Sequence, residues 1–151
     1  MSEIDSKPPG AQTETPAEAA TPTVPDIPAE KLEPTELRQK MTELKSRGYR
    51  FMTTSCLDLG ESFGIYYHMD RDLQLVHYYV ELPKGRPLDS VSDIFPGGFV
   101  AENEMRDMFG VEIEGLTLDY GSKFLITELE GGPPLLKSFG CVVMPSAEEK
   151  T

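Results

Sequence analysis

The pattern of hydrophobic and polar positions divides the chain into three parts. Residues 1–33 contain few apolar side chains, and their prolines alternate with Ala, Thr and Glu. Such a segment cannot bury enough surface to offset its ordering entropy, so we predict a disordered, partly polyproline-like arm. Residues 34–120 have regular periodicities and are predicted to form the folded domain. Residues 121–151 are predicted to form an extended C-terminal tail.

Apolar side chains recur at helical spacing at the start of the domain. Leu37, Met41 and Leu44 follow one another at i, i+4 and i+7, which places them on one face of a helix. Pro34 suits a first turn and Gly48 suits the position after the last turn. The pattern predicts a short amphipathic helix packed on a sheet.

Three strand-like segments follow the helix. Residues 49–57 are rich in β-forming side chains, and residues 63–69 alternate between larger apolar and other side chains. Residues 73–82 are largely apolar on both faces, which indicates a strand in the middle of the sheet. Because the links between these segments are short, we expect antiparallel pairing.

The pattern becomes irregular after Pro83. Ser90 is predicted to cap a short helix over residues 91–95, and a second helix is predicted over residues 99–109, with one more short strand over residues 124–129. The sequence therefore indicates the α+β class. We expect an N-terminal helix, a mainly antiparallel three- to four-stranded sheet, then short helices and an extended C-terminal tail.

Composition excludes several classes of function. The chain has 151 residues and a net charge of −12, without a cluster of Lys or Arg, which argues against nucleic acid and against direct binding to a membrane surface. Its apolar runs are far shorter than a spanning helix needs, and its start lacks the features of a secretory signal. We expect a cytoplasmic protein that reaches a membrane only through a partner. Cys56 and Cys141 lack CxxC spacing, so we predict inert thiols without an iron–sulfur or zinc site.

The second predicted helix contains the densest set of polar residues. Its apolar stripe, at Met105, Met108 and Phe109, can pack on the sheet, and Glu102 and Arg106 are spaced for an i, i+4 ion pair. The remaining polar groups are predicted to face outward and, with the glycine turn that follows, to form a partner surface. This surface comprises Glu102, Asn103, Glu104, Arg106, Asp107 and Gly110. Lys84 and Arg86, in an exposed loop, are predicted to be charges at its rim.

A metal or acid–base site is the alternative interpretation of the same acidic cluster. A stand-alone metal-binding enzyme would use the acids around Glu104 with His68 or His77. The alternative is weakened because Asn103 and Arg106 interrupt the acids, whereas a hard cation needs several converging oxygens. His68 and His77 are predicted to be structural. A third hypothesis is a free-standing binding module that uses the N-terminal arm.

Three stretches resemble a known family. Residues 82–84, residues 90–98 and above all residues 101–111, which read AENEMRDMFGV, resemble the thirty-kilodalton subunit family of NADH:quinone oxidoreductase (complex I). The resemblance covers about residues 35–118. Asn103 stands where complex I members have arginine, and residues 115–120 replace the family's basic segment. Both departures are similar to members from Ech-type energy-converting [NiFe] hydrogenases and related membrane-bound hydrogenase complexes.

The resemblance implies a subunit with no cofactor, no bound metal and no catalytic residue. It implies a place on the peripheral arm of a redox complex at the inner face of the cell membrane. The partners would be a large catalytic subunit, related to the [NiFe] hydrogenase large subunit, and a small iron–sulfur subunit. The tail would wrap the large subunit. Our first hypothesis is therefore an accessory docking subunit of a hydrogenase or complex I-like oxidoreductase.

Overall fold

The computed structural model describes residues 26–126 and 132–136. Most of the predicted arm, most of the predicted tail and Cys141 lie outside these residues. The described part has the predicted α+β fold, with the elements β1 (Glu30–Leu32), α1 (Leu37–Ser46), β2 (Arg50–Asp58), β3 (Ser62–Arg71), β4 (Gln74–Pro83), β5 (Leu88–Asp89), α2 (Gly98–Phe109) and β6 (Ile113–Glu114).

Four strands form the main sheet, in the order β1-β4-β3-β2. The β2–β3 and β3–β4 pairs are antiparallel, as predicted, and β4 lies inside the sheet. The β1 strand pairs in parallel with β4. The prediction of disorder is therefore wrong for residues 30–32, because three residues are too few to show a periodicity and their pairing partner is distant in the sequence.

The core lies between α1, α2 and one face of the sheet. Leu37, Met41 and Leu44 of α1 are completely buried, which confirms the predicted stripe. Ile65 and Met69 face the same core from β3. Because successive side chains of a strand point to opposite faces, Tyr67 faces the same core, whereas Tyr66 and His68 face away from the helices.

Residues 91–95 do not form the predicted helix. They form a single turn in which Phe95 N–H donates to Val91 O at 2.8 Å. Pro96 lacks an N–H and disfavours a helical conformation of Phe95 before it, so the turn cannot continue. Residues 124–126 show no strand, and the rest of the strand predicted over residues 124–129 lies outside the described residues.

A small parallel pair of strands, which the sequence did not predict, brings the exit of α2 back to the loop after β4. Leu88 pairs with Ile113 and Asp89 with Glu114. The chain beyond Glu114 then returns along α2. Neither described helix has the length and apolar character that crossing a membrane requires.

Candidate docking site on the second helix

Glu102 holds the loop before α2. Its side chain is completely buried; Ser90 Oγ donates to Glu102 Oε2 at 2.6 Å, and Val91 N–H donates to Glu102 Oε1 at 2.8 Å. Burial raises the pKa of the Glu102 carboxyl, and the two donors partly offset this effect. A buried carboxylate in this setting is a structural group with satisfied oxygens.

The same network extends to the start of the returning segment. Ser90 Oγ lies 2.7 Å from Ser92 Oγ and accepts the Ser92 N–H at 3.0 Å. Ser92 Oγ in turn accepts the Thr117 N–H at 3.0 Å. The loop before α2 and the segment after β6 are therefore tied together through Glu102.

Asn103 binds the backbone of the returning segment on both sides of its amide. Its Nδ2 donates to Phe99 O at 2.7 Å, within the helix, and to Leu118 O at 2.8 Å. Its Oδ1 accepts the Tyr120 N–H at 3.2 Å. Each such bond contributes about 0.5–1.5 kcal/mol, so this one side chain is a substantial anchor.

Arg106 pairs with the returning segment and not with its own helix. Its Nη1 lies 2.7 Å from Asp119 Oδ2, and the guanidinium lowers the pKa of the Asp119 carboxyl. The predicted ion pair between Glu102 and Arg106 is therefore wrong. Spacing alone allowed it, but the buried Glu102 is occupied by Ser90 and Val91.

Asp107 anchors the segment one turn further on. Its Oδ2 accepts the Leu125 N–H at 2.6 Å and the Ile126 N–H at 3.4 Å. The side chain is completely buried, and its Oδ1 has no hydrogen-bond partner within residues 26–126 and 132–136. An exposed, irregular backbone segment is thus held by a charged acceptor, which makes stronger bonds than a neutral one.

Gly110 is the point where a second stretch of the tail meets α2. Its φ is +72°, the left-handed conformation that favours glycine at the end of a helix. A Cβ at this position would lie 2.8 Å from Pro133 Cγ. Next to this contact, Leu135 N–H donates to Met108 O at 2.9 Å, which satisfies one of the free carbonyls at the helix end.

The predicted outward orientation of the polar residues is only partly correct. Glu104 is exposed and Arg106 is half-buried, but Glu102, Asn103 and Asp107 are completely buried. The face opposite the apolar stripe is covered because residues 117–126 fold back over it. The buried three are used inside the chain, so they reach a partner only through the segments they hold.

The segments held by α2 display apolar side chains to solvent. We call these the tail surface: Leu118, Tyr120, Leu125 and Leu135, exposed by 47%, 42%, 51% and 53%. Beside them, a cavity of about 440 Å³ lies between the exit of α2 and the returning chain, lined by Pro87, Arg106, Glu112, Ser122 and Pro133 among others. Three of these side chains lie within residues 118–125 and the fourth lies within residues 132–136, and both segments are bound to α2. A group of exposed apolar side chains is typical of a contact surface.

The two predicted rim charges differ. Lys84 Nζ lies 2.7 Å from Asp58 Oδ1, and the Asp58 carboxylate is almost completely buried. The same Nζ lies over the ring of Phe63, 5.1 Å from its centroid. Lys84 is therefore used within the chain. Arg86 is exposed and remains available at the surface.

One contact that supports the site had no signal in the linear sequence. Arg38 of α1 binds Asp93 through both guanidinium nitrogens, at 2.9 and 2.7 Å, and also donates to Ser90 O. The pair lowers the pKa of the Asp93 carboxyl. It fixes the loop that Glu102 holds, but its members are 55 residues apart, so no local pattern could reveal it.

The predicted alternative sites do not form around α2. Within the described ranges, no group of three His, Cys, Asp or Glu side chains could hold a metal ion. His68 and His77 lie on the sheet. Cys56 is half-buried, and burial raises the pKa of its thiol to about 12, so the thiol is unreactive at neutral pH.

Comparison with known proteins agrees with this architecture. Residues 31–142 match the family model for the respiratory-chain NADH dehydrogenase, 30 Kd subunit. A chain of the membrane-bound sulfane sulfur reductase (MBS), an archaeal respiratory membrane complex, is 19% identical with a TM-score of 0.66, over 74% of this chain and 71% of that one. The trypsin-resistant fragment (1–134) of Nqo5 is 22% identical with a TM-score of 0.54, over 59% of this chain and 80% of that one. At these identities the likeness shows a shared fold. No curated protein matches the chain.

Proposed function

The chain belongs to the family of the 30 kDa subunit of respiratory-chain NADH dehydrogenase, and we propose that it is an accessory docking subunit of a membrane-associated redox complex. Electrons would pass through its neighbours and not through the chain itself. The observation that carries the proposal is that α2 holds the tail surface outward. The buried side chains of Asn103 and Asp107 bind the backbone of Leu118 and Leu125, and the backbone carbonyl of Met108 accepts the Leu135 N–H.

The polar groups of α2 favour docking over catalysis. Glu102 and Asp107 accept backbone N–H groups from segments on different sides of the helix, so their carboxylates do not converge on one site. Glu104, which the alternative metal-enzyme hypothesis requires, points to solvent. The observed contacts therefore favour the docking hypothesis.

The proposed interface combines surface and supporting residues. Arg86, Glu104 and Gly110 are exposed and Arg106 is half-buried. These four residues would contact the partner, with charged groups at the rim setting recognition and association rate. Asn103, Asp107 and Glu102 would act indirectly, by fixing the segments that make contact. Lys84 would act by holding Asp58.

The proposed partners are a large catalytic subunit, related to the [NiFe] hydrogenase large subunit, and a small iron–sulfur subunit. The chain would lie in the cytoplasm on the inner face of the membrane, attached through the complex. The similar MBS chain comes from a respiratory membrane complex, which supports this placement. The Ech-type branch rests on Asn103 and residues 115–120 and stays a prediction.

Two substitutions at exposed leucines test the proposal. Leu125→Ser removes an apolar group from the tail surface, and Leu73→Ser removes one from the β3–β4 hairpin, where Leu73 is 90% exposed. Fully burying a leucine contributes about 1.5–3 kcal/mol, and a partner would bury the exposed half of Leu125, so L125S should lower affinity for the large subunit by about three- to tenfold. L73S should leave it unchanged.

Both variants should unfold at the temperature of the wild-type chain, because both side chains are exposed. If the complex assembled with L125S retains all of its subunits and its activity, the tail surface is not the interface. If L73S weakens assembly as much as L125S does, the interface is not confined to the tail surface and includes the β3–β4 hairpin.

A further inference from the structure

The two histidines of the chain face each other across the sheet. His68 of β3 is the direct partner of His77 of β4, and their Nδ1 atoms lie 2.8 Å apart. The rings meet edge to face, with centroids 4.9 Å apart. Since Ile65 and Met69 face the core, His68 lies on the opposite face, away from α2 and the tail surface.

The Nδ1 atoms share a single proton. Only one of them can donate at this distance, and the other must accept. For a pair of neutral imidazoles, two proton arrangements satisfy this contact and the neighbouring contact of His68 Nε2 with Ser55 Oγ, at 2.9 Å. In both, one nitrogen lone pair is directed at the other ring.

The surroundings orient the His68 ring. Ser55 Oγ binds Nε2, and the ring of Tyr66 lies parallel to the imidazole, with an interplanar angle of 1° and centroids 6.2 Å apart. Metal-binding histidines typically have such a partner on the second ring nitrogen, which fixes the tautomer and directs the first nitrogen toward the ion. Partial burial and the proximity of His77 lower the pKa of His68.

We propose that His68 and His77 form a two-ligand site for a divalent late transition ion, with Cu²⁺ and Ni²⁺ preferred over Zn²⁺. The ion would replace the shared proton, which moves to the unprotonated Nε2 of the same ring; on His68 this Nε2–H would then donate to Ser55 Oγ. Two neutral imidazoles thereby become ligands. With metal–nitrogen bonds of about 2.0–2.1 Å, a nitrogen separation of 2.8 Å subtends roughly 90° at the ion.

That angle selects the metal. Adjacent positions of square-planar or octahedral ions lie about 90° apart, as Cu²⁺ and Ni²⁺ prefer, whereas the tetrahedral geometry of Zn²⁺ needs a separation of about 3.3 Å. Water would fill the remaining positions. The site lies on a different face from the proposed docking surface and does not depend on the docking function.

Binding of Cu²⁺ to the purified, metal-free full chain tests the proposal. Because the chain has only two histidines, any second imidazole ligand must come from this pair. Pulsed EPR of the wild-type chain with one equivalent of Cu²⁺ should show two imidazole nitrogens. Calorimetric titration should give one ion per chain, with affinity falling in the order Cu²⁺, Ni²⁺, Zn²⁺.

Single substitutions distinguish copper bound by both histidines from copper bound by other groups of the chain. His68→Gln and His77→Gln should each lower Cu²⁺ affinity at least tenfold and leave one imidazole nitrogen in the spectrum. Ser55→Ala should lower affinity about tenfold while both nitrogens remain. A wild-type spectrum with one imidazole or none would overturn the proposal, as would an affinity that neither His68→Gln nor His77→Gln changes; the histidines would then be a hydrogen-bonded packing pair.

Discussion

Replacing Gly110 by alanine tests whether the tail is seated on the end of α2. Its φ is +72°, and an added Cβ would lie 2.8 Å from Pro133 Cγ. Gly115 is a matched control, because its φ is +76° and, among the described residues other than its chain neighbours, no heavy atom lies within 4 Å of an added Cβ. Both substitutions therefore carry a similar cost of left-handed backbone, about 1–2 kcal/mol, and only Gly110→Ala meets the tail.

The additional cost at Gly110 comes from the displaced tail. Pro133 must move to relieve the contact, and the bond from Leu135 N–H to Met108 O, 2.9 Å long, is disturbed with it. A hydrogen bond of this kind contributes about 0.5–1.5 kcal/mol. We therefore expect Gly110→Ala to lower the free energy of unfolding by about 1 kcal/mol more than Gly115→Ala.

Urea unfolding of the full chain measures the two free energies of unfolding. Hydrogen exchange of the Leu135 amide measures directly whether its bond to Met108 O is intact. Exchange at Leu135 should accelerate in Gly110→Ala and stay unchanged in Gly115→Ala. Equal destabilisation by both substitutions, with unchanged exchange at Leu135, would refute the reasoning that Pro133 packs on Gly110.

Three further predictions concern single side chains. Asp107→Ala removes the acceptor of the Leu125 N–H, 2.6 Å away, a charged bond of about 1.5–3 kcal/mol. Leu125 amide exchange should accelerate and assembly with the large subunit should fail, while Glu104→Ala, at an exposed side chain, should leave the exchange unchanged. Slow exchange of the Leu125 amide in Asp107→Ala would contradict its role as an anchor. Burial raises the Glu102 pKa above 4.5, so the Glu102 carboxyl contributes fully to stability below that pH and contributes less as pH rises through the folded-state pKa. In urea unfolding, the wild-type chain should therefore lose stability relative to Glu102→Gln between acidic and neutral pH. A stability difference that does not depend on pH would contradict this. Leu73 has a φ of +64° in the β3–β4 turn, so Leu73→Gly should stabilise the chain by about 0.5–1 kcal/mol, and a loss of stability in the same assay would show that the leucine is not strained.

Residues 101–111, which carry most of the resemblance to the family and which we call the family signature, acquire a physical meaning from these contacts. Glu102 holds the loop before the helix, Asn103 and Asp107 hold the backbone after it, and Arg106 pairs with Asp119. The polar residues of the signature are therefore spaced so that successive turns of α2 bind successive points of the returning chain. The result is an irregular surface that is fixed before any partner binds, which lowers the entropic cost of association.

Local periodicity was sufficient to predict α1, β2, β3, β4 and α2. Each has enough residues for its apolar pattern to repeat, and the buried positions Leu37 and Met105 are those of the predicted stripes. The strands β1, β5 and β6 have two or three residues each and pair with distant segments. Nothing in their own sequence could specify such pairs.

Helical periodicity places the polar face of α2 outward, and this orientation is wrong for Glu102, Asn103 and Asp107, which are buried. A linear pattern that predicts the tail as a separate extended element leaves this face uncovered. An irregular segment still needs acceptors for its backbone N–H groups, and Asn103 and Asp107 are well suited to bind them. Asn and Asp in the middle of a helix, followed by an irregular segment, were the available signal.

The measurement that bears most directly on the docking function is the set of proteins recovered when the complex is isolated from native membranes through a tagged copy of the wild-type chain. We expect a large subunit of the [NiFe] hydrogenase type and a small iron–sulfur subunit to be recovered in equal amounts with the chain. Cross-links from the complex should include Lys123, which lies between Tyr120 and Leu125 of the tail surface. Recovery of the chain alone, or of both partners with cross-links only to the sheet, would contradict the docking function.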